Sequence, residues 1–175
     1  MRLSSNAGQP LNIFGVFIYN DVGVVINNNP GNASSSSVYQ GHGAGNAIKI
    51  VNENIDRNIN NAINQDTIKS KNDILWNDWN KNGSYCSATN NDGRASTHGD
   101  WWEYTFPDNV KIAGIEIWGR TDCCLERFKN MLVEIFNDTK FPNKLNDDPV
   151  WNVNTGSPKG TRPYIADTGT TIISN

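Results

Sequence analysis

Short runs of apolar residues, separated by polar turn residues, recur along the chain. Alternation of apolar and polar positions over four to ten residues is typical of β-strands that bury one face. The pattern predicts strands at 11–19, 24–26, 102–106, 110–118, 131–136, 150–153 and 164–173. Residues 21–23 are turn material, so we expect either a hairpin or a strand-turn-strand corner between the first two strands.

One strand also carries a prediction about its faces. Within 110–118, the set formed by Lys111, Ala113, Ile115 and Ile117 is more apolar than the set that alternates with it. Because successive side chains of a strand point to opposite faces, we expect this set to face the core.

Two stretches lack the strand pattern. Residues 27–45 consist largely of Asn, Ser and Gly and predict a loop, whereas 46–68 is irregular with one short helix. Strands separated by turns, without a regular strand-helix alternation, favour an all-β fold, an antiparallel β-sandwich or jelly roll with long loops. Neither a linker nor an internal repeat divides the chain, so we expect a single domain over 1–175.

Composition agrees with a turn-rich β protein and excludes several functions. The 175 residues include 28 Asn and 15 Gly, which suit turns better than helix interiors. A net charge of -3 argues against non-specific binding to nucleic acid or anionic membranes. No apolar run is long enough to span a membrane, and the first residues show no signal peptide.

The most unusual local sequence is Arg-Thr-Asp-Cys-Cys-Leu-Glu-Arg at 120–127, between two predicted strands. If Cys123 and Cys124 are oxidised, they close a small rigid ring with an apolar sulfur face. Arg120 and Arg127 bracket that face, and Asp122 is close enough in sequence to hold one of them. Donors beside an apolar platform suit a sugar, because a guanidinium can donate to two neighbouring hydroxyls. The alternative is a solvated polar loop with two buried thiols.

This motif, with the Trp-Trp pair at 101–102 upstream, resembles the F-type lectin (fucolectin) domain. That family belongs to the discoidin-like, galactose-binding-like superfamily, which includes phage and virus versions. The resemblance extends over 34–136 and includes Ser-Ser-Ser-Ser-Val-Tyr at 34–39 and Ala-Ile-Asn-Gln-Asp at 62–66. It implies a discoidin-like jelly roll, in which 137–175 completes the sandwich or forms a tail.

The resemblance also implies roles for individual residues. Arg120, Arg127 and His98 would hydrogen-bond the sugar, while a vicinal disulfide between Cys123 and Cys124 would pack against it, with Asp122 in support. His98 keeps the family's Thr-His context, although 21 residues separate it from Arg120, about five fewer than in the family. An aromatic residue would stack on the apolar side of the sugar, and Trp79 and Tyr85 are the candidates.

Two further family features are altered in this sequence. A structural calcium ion would fall on Asn64, Asp66 and Asp73, yet Lys69 and Lys71 follow closely and the family's C-terminal Cys-Glu pair is missing. Calcium needs about six or more oxygen ligands, so the resemblance leaves a calcium site open. The third cysteine, Cys86, has no partner if the adjacent pair is oxidised, and a buried thiol is the ordinary outcome.

These observations predict a lectin rather than an enzyme. The chain has two His residues and lacks the common nucleophile, zinc and phosphate-loop motifs. We expect it to bind fucose-containing or related glycans for surface attachment, outside the cell or on a virion, as a homo-oligomer or part of a larger particle. The alternative is a structural virion or surface-assembly protein that uses the same sandwich for protein contacts, through residues 27–45 and the tail after 141.

Overall fold

β-Strands form most of the regular structure of the chain. The computed structural model describes residues 1–5, 9–49, 87–89, 100–119, 125–136, 149–156 and 164–173. Their strands are β1 (Arg2–Ser4), β2 (Asn12–Tyr19), β3 (Ala33–Ser35), β4 (Ser87–Ala88), β5 (Trp101–Tyr104), β6 (Val110–Gly119), β7 (Leu132–Ile135), β8 (Trp151–Asn154) and β9 (Tyr164–Ile173). Helical structure in these ranges is limited to α1 (Asn46–Lys49) and the 3₁₀ turns Pro30–Asn32 and Leu125–Phe128.

The strands form two antiparallel sheets. One has the order β3-β5-β1-β7-β8 and the other the order β4-β2-β6-β9. Leu3 and Trp102 from the first sheet belong to the same buried cluster as Val16 and Ile117 from the second. A shared core means that the sheets pack against each other as a β-sandwich. The predicted all-β antiparallel class is confirmed, while the discoidin-like jelly-roll assignment stays a prediction.

Most of the predicted strands are confirmed. The strands β2, β5, β6, β7, β8 and β9 occupy the expected stretches, within one or two residues at each end. Between 19 and 25 the chain reverses as a hairpin, because Tyr19 pairs with Val25 and Asn20 N donates to Val24 O at 2.9 Å.

Three strands escaped the sequence pattern. β1 and β4 were not predicted, and β3 lies inside the stretch 27–45 that was expected to be a loop. They have only two or three residues, too few to show an alternation. Ser34 in β3 is exposed and pairs with Glu103, so this edge strand is held by backbone pairing rather than by an apolar face.

The predicted core face of β6 is half wrong. Ile115 and Ile117 are fully buried as expected, but Lys111 is exposed and Ile112 is buried in its place. The cause is a register shift against β9 between Ile112 and Gly114. A bulge of this kind reverses the alternation of faces, so the residues before it follow the opposite phase.

The short helix predicted within 46–68 lies at the beginning of that stretch, as α1. α1 contributes Ala47 and Ile48 to the core, just after Ala44, whose carbonyl oxygen accepts a hydrogen bond from Trp102 Nε1 at 3.0 Å. Residues 50–68 of the stretch predicted as irregular lie outside the described residues.

Candidate functional site

Several strand ends meet at one end of the sandwich. Ile13 near the start of β2 pairs with Gly119 at the end of β6, while Ser5 N, just after β1, donates to Asp100 O at 2.8 Å. Thr89 N, just after β4, donates to Leu11 O at 3.1 Å. We call this end of the sandwich the Arg127 end. It comprises the residues at these strand ends and those that contact them: Ser5, Leu11, Asn12, Ser36, Thr89, Asp100, Gly119 and Arg127.

Arg127 is the predicted sugar ligand that the structure describes. It lies on the 3₁₀ turn Leu125–Phe128 between β6 and β7 and is partly exposed. The oxygen and nitrogen of the Asn12 carboxamide are assigned in the orientation that gives both atoms a hydrogen-bond partner. The Asn12 side-chain oxygen then lies 2.8 Å from Arg127 Nη1. In that orientation the Asn12 nitrogen donates to Leu11 O at 3.0 Å. The guanidinium is therefore held by a carboxamide that is itself anchored to the backbone.

The turn that carries Arg127 is packed closely against β6. A Cβ atom on Gly119 would lie 2.6 Å from Phe128 Cδ2, so the Phe128 ring rests directly on the glycine backbone. The backbone of the turn is also bonded to Thr155, whose Oγ1 accepts from Met131 N at 3.0 Å and donates to Phe128 O at 3.4 Å. These contacts fix the position of the backbone next to Arg127.

Asp100 links the two sheets at the same end. Its carboxylate accepts from Ser36 Oγ at 3.2 Å and from Thr89 Oγ1 at 2.8 Å. Its backbone N–H donates to Ser5 Oγ at 3.0 Å. Ser5 and Ser36 follow strands of the five-stranded sheet, whereas Thr89 follows a strand of the other sheet. The acid is therefore used to join strand ends.

The remaining predicted site residues lie outside the described residues. They are the sugar-ligand candidates His98, Arg120, Cys123, Cys124, Trp79 and Tyr85, the supporting Asp122, and the calcium candidates Asn64, Asp66 and Asp73. Cys86 lies outside them as well. Within the described ranges, no group of three or more His, Cys, Asp or Glu is arranged to hold a metal ion.

The sequence reasoning missed Asn12, Thr89 and Asp100. Asn12 is 7% exposed and Thr89 is 3% exposed, so both are buried polar residues at the Arg127 end. The sequence does distinguish Asn12, because it is a polar residue at the start of a strongly apolar strand. Thr89 and Asp100 stand in polar surroundings where nothing in the pattern separates them from their neighbours.

Two further buried polar groups lie on the outer faces of the sheets. On the four-stranded sheet, the Glu116 carboxylate is fully buried and accepts from Tyr19 Oη at 2.5 Å and from Trp118 Nε1 at 2.6 Å. Hydrogen bonds to a buried carboxylate compensate for its loss of water. This group contributes to the packing of β2 on β6 and lies away from Arg127.

On the five-stranded sheet, Arg2 in the central strand lies between Glu103 and Glu134 of the neighbouring strands. Its guanidinium carbon lies 4.8 Å from the centroid of the Trp101 ring. Burial raises the pKa of Glu103, and nearby positive charge, including that of Arg2, opposes the shift. Burial likewise lowers the pKa of Arg2.

Comparisons with known proteins leave the chain without an assigned family. No protein-family model matches it, and neither a curated protein nor a solved structure shows significant similarity. Among the described residues, no helix has the length and apolar character needed to cross a membrane.

Proposed function

We propose that the chain is a non-enzymatic carbohydrate-binding protein that recognises fucose-containing or related glycans at the Arg127 end. The observation that carries the proposal is the anchored guanidinium of Arg127, held at 2.8 Å by the buried carboxamide of Asn12. The sequence resemblance to F-type lectins supports the same function, since Arg127 is the second arginine of the Arg-x-Asp-Cys-Cys-x-x-Arg motif.

An anchored guanidinium suits a sugar hydroxyl better than a free one. Arg carries five N–H donors in a planar fork, and the bond to Asn12 uses one of them. A side chain that is already held loses less rotamer freedom when a ligand binds. The partly exposed Arg127 can therefore donate to hydroxyl oxygens without first being ordered.

Two residues that are close in sequence to other proposed sugar ligands also support a site at the Arg127 end. Asp100, two residues after His98, and Gly119, directly before Arg120, both belong to the Arg127 end. Loops at one end of a β-sandwich are the usual place for binding residues, because the strands beneath them are rigid. On this proposal His98, Arg120 and the Cys123-Cys124 pair complete the sugar site.

A single shallow sugar site binds weakly, so useful attachment requires several copies. Presentation on an oligomer or a particle raises the effective concentration of sites without any new contact. The proposal therefore includes a multivalent protein acting outside the cell or on a virion surface.

Sugar binding is tested by a glycan array followed by titration calorimetry with L-fucose. Wild-type protein should bind, Arg127→Ala should lose binding, and Arg127→Lys should recover it only in part, because an ammonium lacks the planar fork. Lys129→Ala is the matched control, since Lys129 is an exposed cation two residues away. Absence of binding to fucose or galactose by the wild type at millimolar sugar would overturn the proposal.

Assembly through protein contacts is the second candidate. Val38 and Tyr39, in the stretch 27–45, are 48% and 44% exposed. Replacing both by Ser and measuring the oligomeric state by light scattering tests this function. Loss of the oligomer with sugar binding intact would favour assembly, whereas an unchanged oligomer would count against that use of the stretch.

A further inference from the structure

We propose that Asn12, Thr89 and Asp100 are positioning residues that hold Arg127 and the start of β5 in one geometry for sugar binding. This inference rests on the proposed function and deepens it. It assigns the site three polar residues, of which Asn12 and Thr89 are buried and Asp100 partly buried, that do not themselves contact the sugar.

Asn12 connects Arg127 to the backbone just before β2. Arg127 Nη1 donates to the Asn12 side-chain oxygen at 2.8 Å, and the Asn12 nitrogen donates to Leu11 O at 3.0 Å. Asn12 is 7% exposed, so water does not readily replace either bond. The orientation of the guanidinium therefore depends on where the Leu11 carbonyl group lies.

Thr89 connects Leu11 to Asp100. Leu11 O also accepts from Thr89 N at 3.1 Å, while Leu11 N donates to Thr89 Oγ1 at 2.8 Å. The same hydroxyl donates to the Asp100 carboxylate at 2.8 Å. Thr89 thus uses one hydroxyl as both acceptor and donor, which fixes the direction of its proton.

Asp100 is anchored to strand ends of the five-stranded sheet. The carboxylate accepts from Ser36 Oγ at 3.2 Å, and the Asp100 N–H donates to Ser5 Oγ at 3.0 Å. Hydrogen bonds therefore run without a gap from Arg127 in one loop to Asp100, two residues after His98 in the sequence. A fixed relation between Arg127 and Asp100 lowers the entropic cost of binding a rigid ring at this end of the sandwich.

The test compares two threonines that receive the same substitution. Thr89→Val removes the hydroxyl that joins Leu11 to Asp100 and should raise the Kd for L-fucose about fivefold. Thr168→Val is the control, because Thr168 is also buried and its hydroxyl donates to Ile112 O at 2.7 Å, near the opposite end of β6. The control should destabilise the fold comparably and leave the Kd unchanged.

A second readout does not depend on sugar. The Nε–H signal of Arg127 in nitrogen-proton NMR spectra, assigned by its loss in Arg127→Lys, should be distinct in the wild type. We expect it to move or broaden in Thr89→Val and in Asn12→Ala, and to stay in place in Thr168→Val. These spectra follow the position of the guanidinium in the folded protein.

The outcomes separate the two proposals. If the wild type binds no sugar, the proposed function fails, and the NMR comparison alone decides whether the buried residues position Arg127. If Thr89→Val leaves both the affinity and the Arg127 signal unchanged, the positioning role is overturned. It is also overturned if Thr168→Val weakens sugar binding as much as Thr89→Val does, because loss of stability then explains both.

Discussion

Gly119 is the residue at which β6 passes into the loop that carries Arg127. The Phe128 ring lies so close to it that a Cβ atom would meet three ring carbons at 2.6–3.0 Å. A side chain of any size at this position must push the ring, and with it the turn Leu125–Phe128, away from the sheet. The glycine is therefore required by the packing of a neighbour.

We predict that Gly119→Ala destabilises the protein by about 1–3 kcal/mol, because overpacking displaces the Phe128 ring. Urea denaturation measures the change in the free energy of unfolding. Gly43→Ala is the control, since a Cβ atom there has no neighbour within 4 Å. Equal stabilities of the two variants would show that the ring can move aside without cost.

The residue scale also shows the limit of reasoning from a motif. Arg127 was singled out as a candidate because its residue type stands out in a weakly charged chain beside two cysteines. Asn12 was not found, because its importance comes from a contact with a residue 115 positions later in the sequence. Contacts of this kind depend on the way two sheets bring distant strand ends together.

At the scale of elements, part of β2 is hydrogen-bonded by a side chain where a neighbouring strand would otherwise pair. β4 pairs only with Asn12 and Ile13 of this strand. Further along, Ile18 N donates to the Asn27 side-chain oxygen at 2.7 Å, and Asn27 Nδ2 donates to Val16 O at 2.8 Å. Asn27 is fully buried, and its carboxamide reproduces the donor and acceptor pattern of a backbone peptide group.

We predict that Asn27→Leu destabilises the protein by about 2–4 kcal/mol, because Val16 O and Ile18 N both lose their partner. Asn28→Leu provides the control, since Asn28 is the exposed neighbour of the same residue type. Thermal and chemical denaturation should both rank the variants in this order. A loss in Asn28→Leu as large as that in Asn27→Leu would contradict the prediction.

Element predictions from the sequence succeeded where a strand has one apolar face and enough length to show it. The strands β2, β6 and β9 have eight to ten residues and were predicted closely. β3 has three small residues at a sheet edge, and its pairing with β5 leaves no trace in the hydrophobic pattern. The bulge in β6 was also hidden, because it depends on the register of β9.

At the scale of the whole molecule, the row of charges across the five-stranded sheet makes stability depend on pH. Burial raises the pKa of Glu103 above its ordinary value of 4.5. The folded protein therefore keeps this proton to a higher pH than the unfolded chain does. Because the folded state then binds more protons, its stability falls as the pH rises from about 4.5 through the folded-state pKa.

We predict that Glu103→Gln removes this dependence. The free energy of unfolding of the variant, relative to wild type, should increase as the pH rises above about 4.5. Thr105→Val is a second variant, which should strengthen the pH dependence instead of removing it. The Thr105 hydroxyl donates to Glu103 at 3.3 Å and lowers the pKa of Glu103. Its loss should shift the affected range to higher pH. Denaturation series at several pH values measure both effects, and a constant difference between Glu103→Gln and wild type would refute the assignment.

For the molecule as a whole, the class of fold could be predicted, and the arrangement of its polar interior could not. Alternating apolar positions and turn residues were enough to indicate antiparallel sheets that share a core. The buried Glu116 and the partly buried Asp100 were assigned to no role, because a carboxylate in a sequence is ordinarily solvated. The fold supplies both carboxylates with donors, including Tyr19, Trp118 and Thr89.

The carboxamide of Asn27 also bears on how this protein behaves in concentrated solution. Unpaired N–H and C=O groups on an exposed strand edge can pair with a strand of another molecule and begin aggregation. By occupying Val16 O and Ile18 N, Asn27 closes these two groups to a neighbouring chain. One buried side chain thus removes two of the points at which a foreign strand could begin to pair.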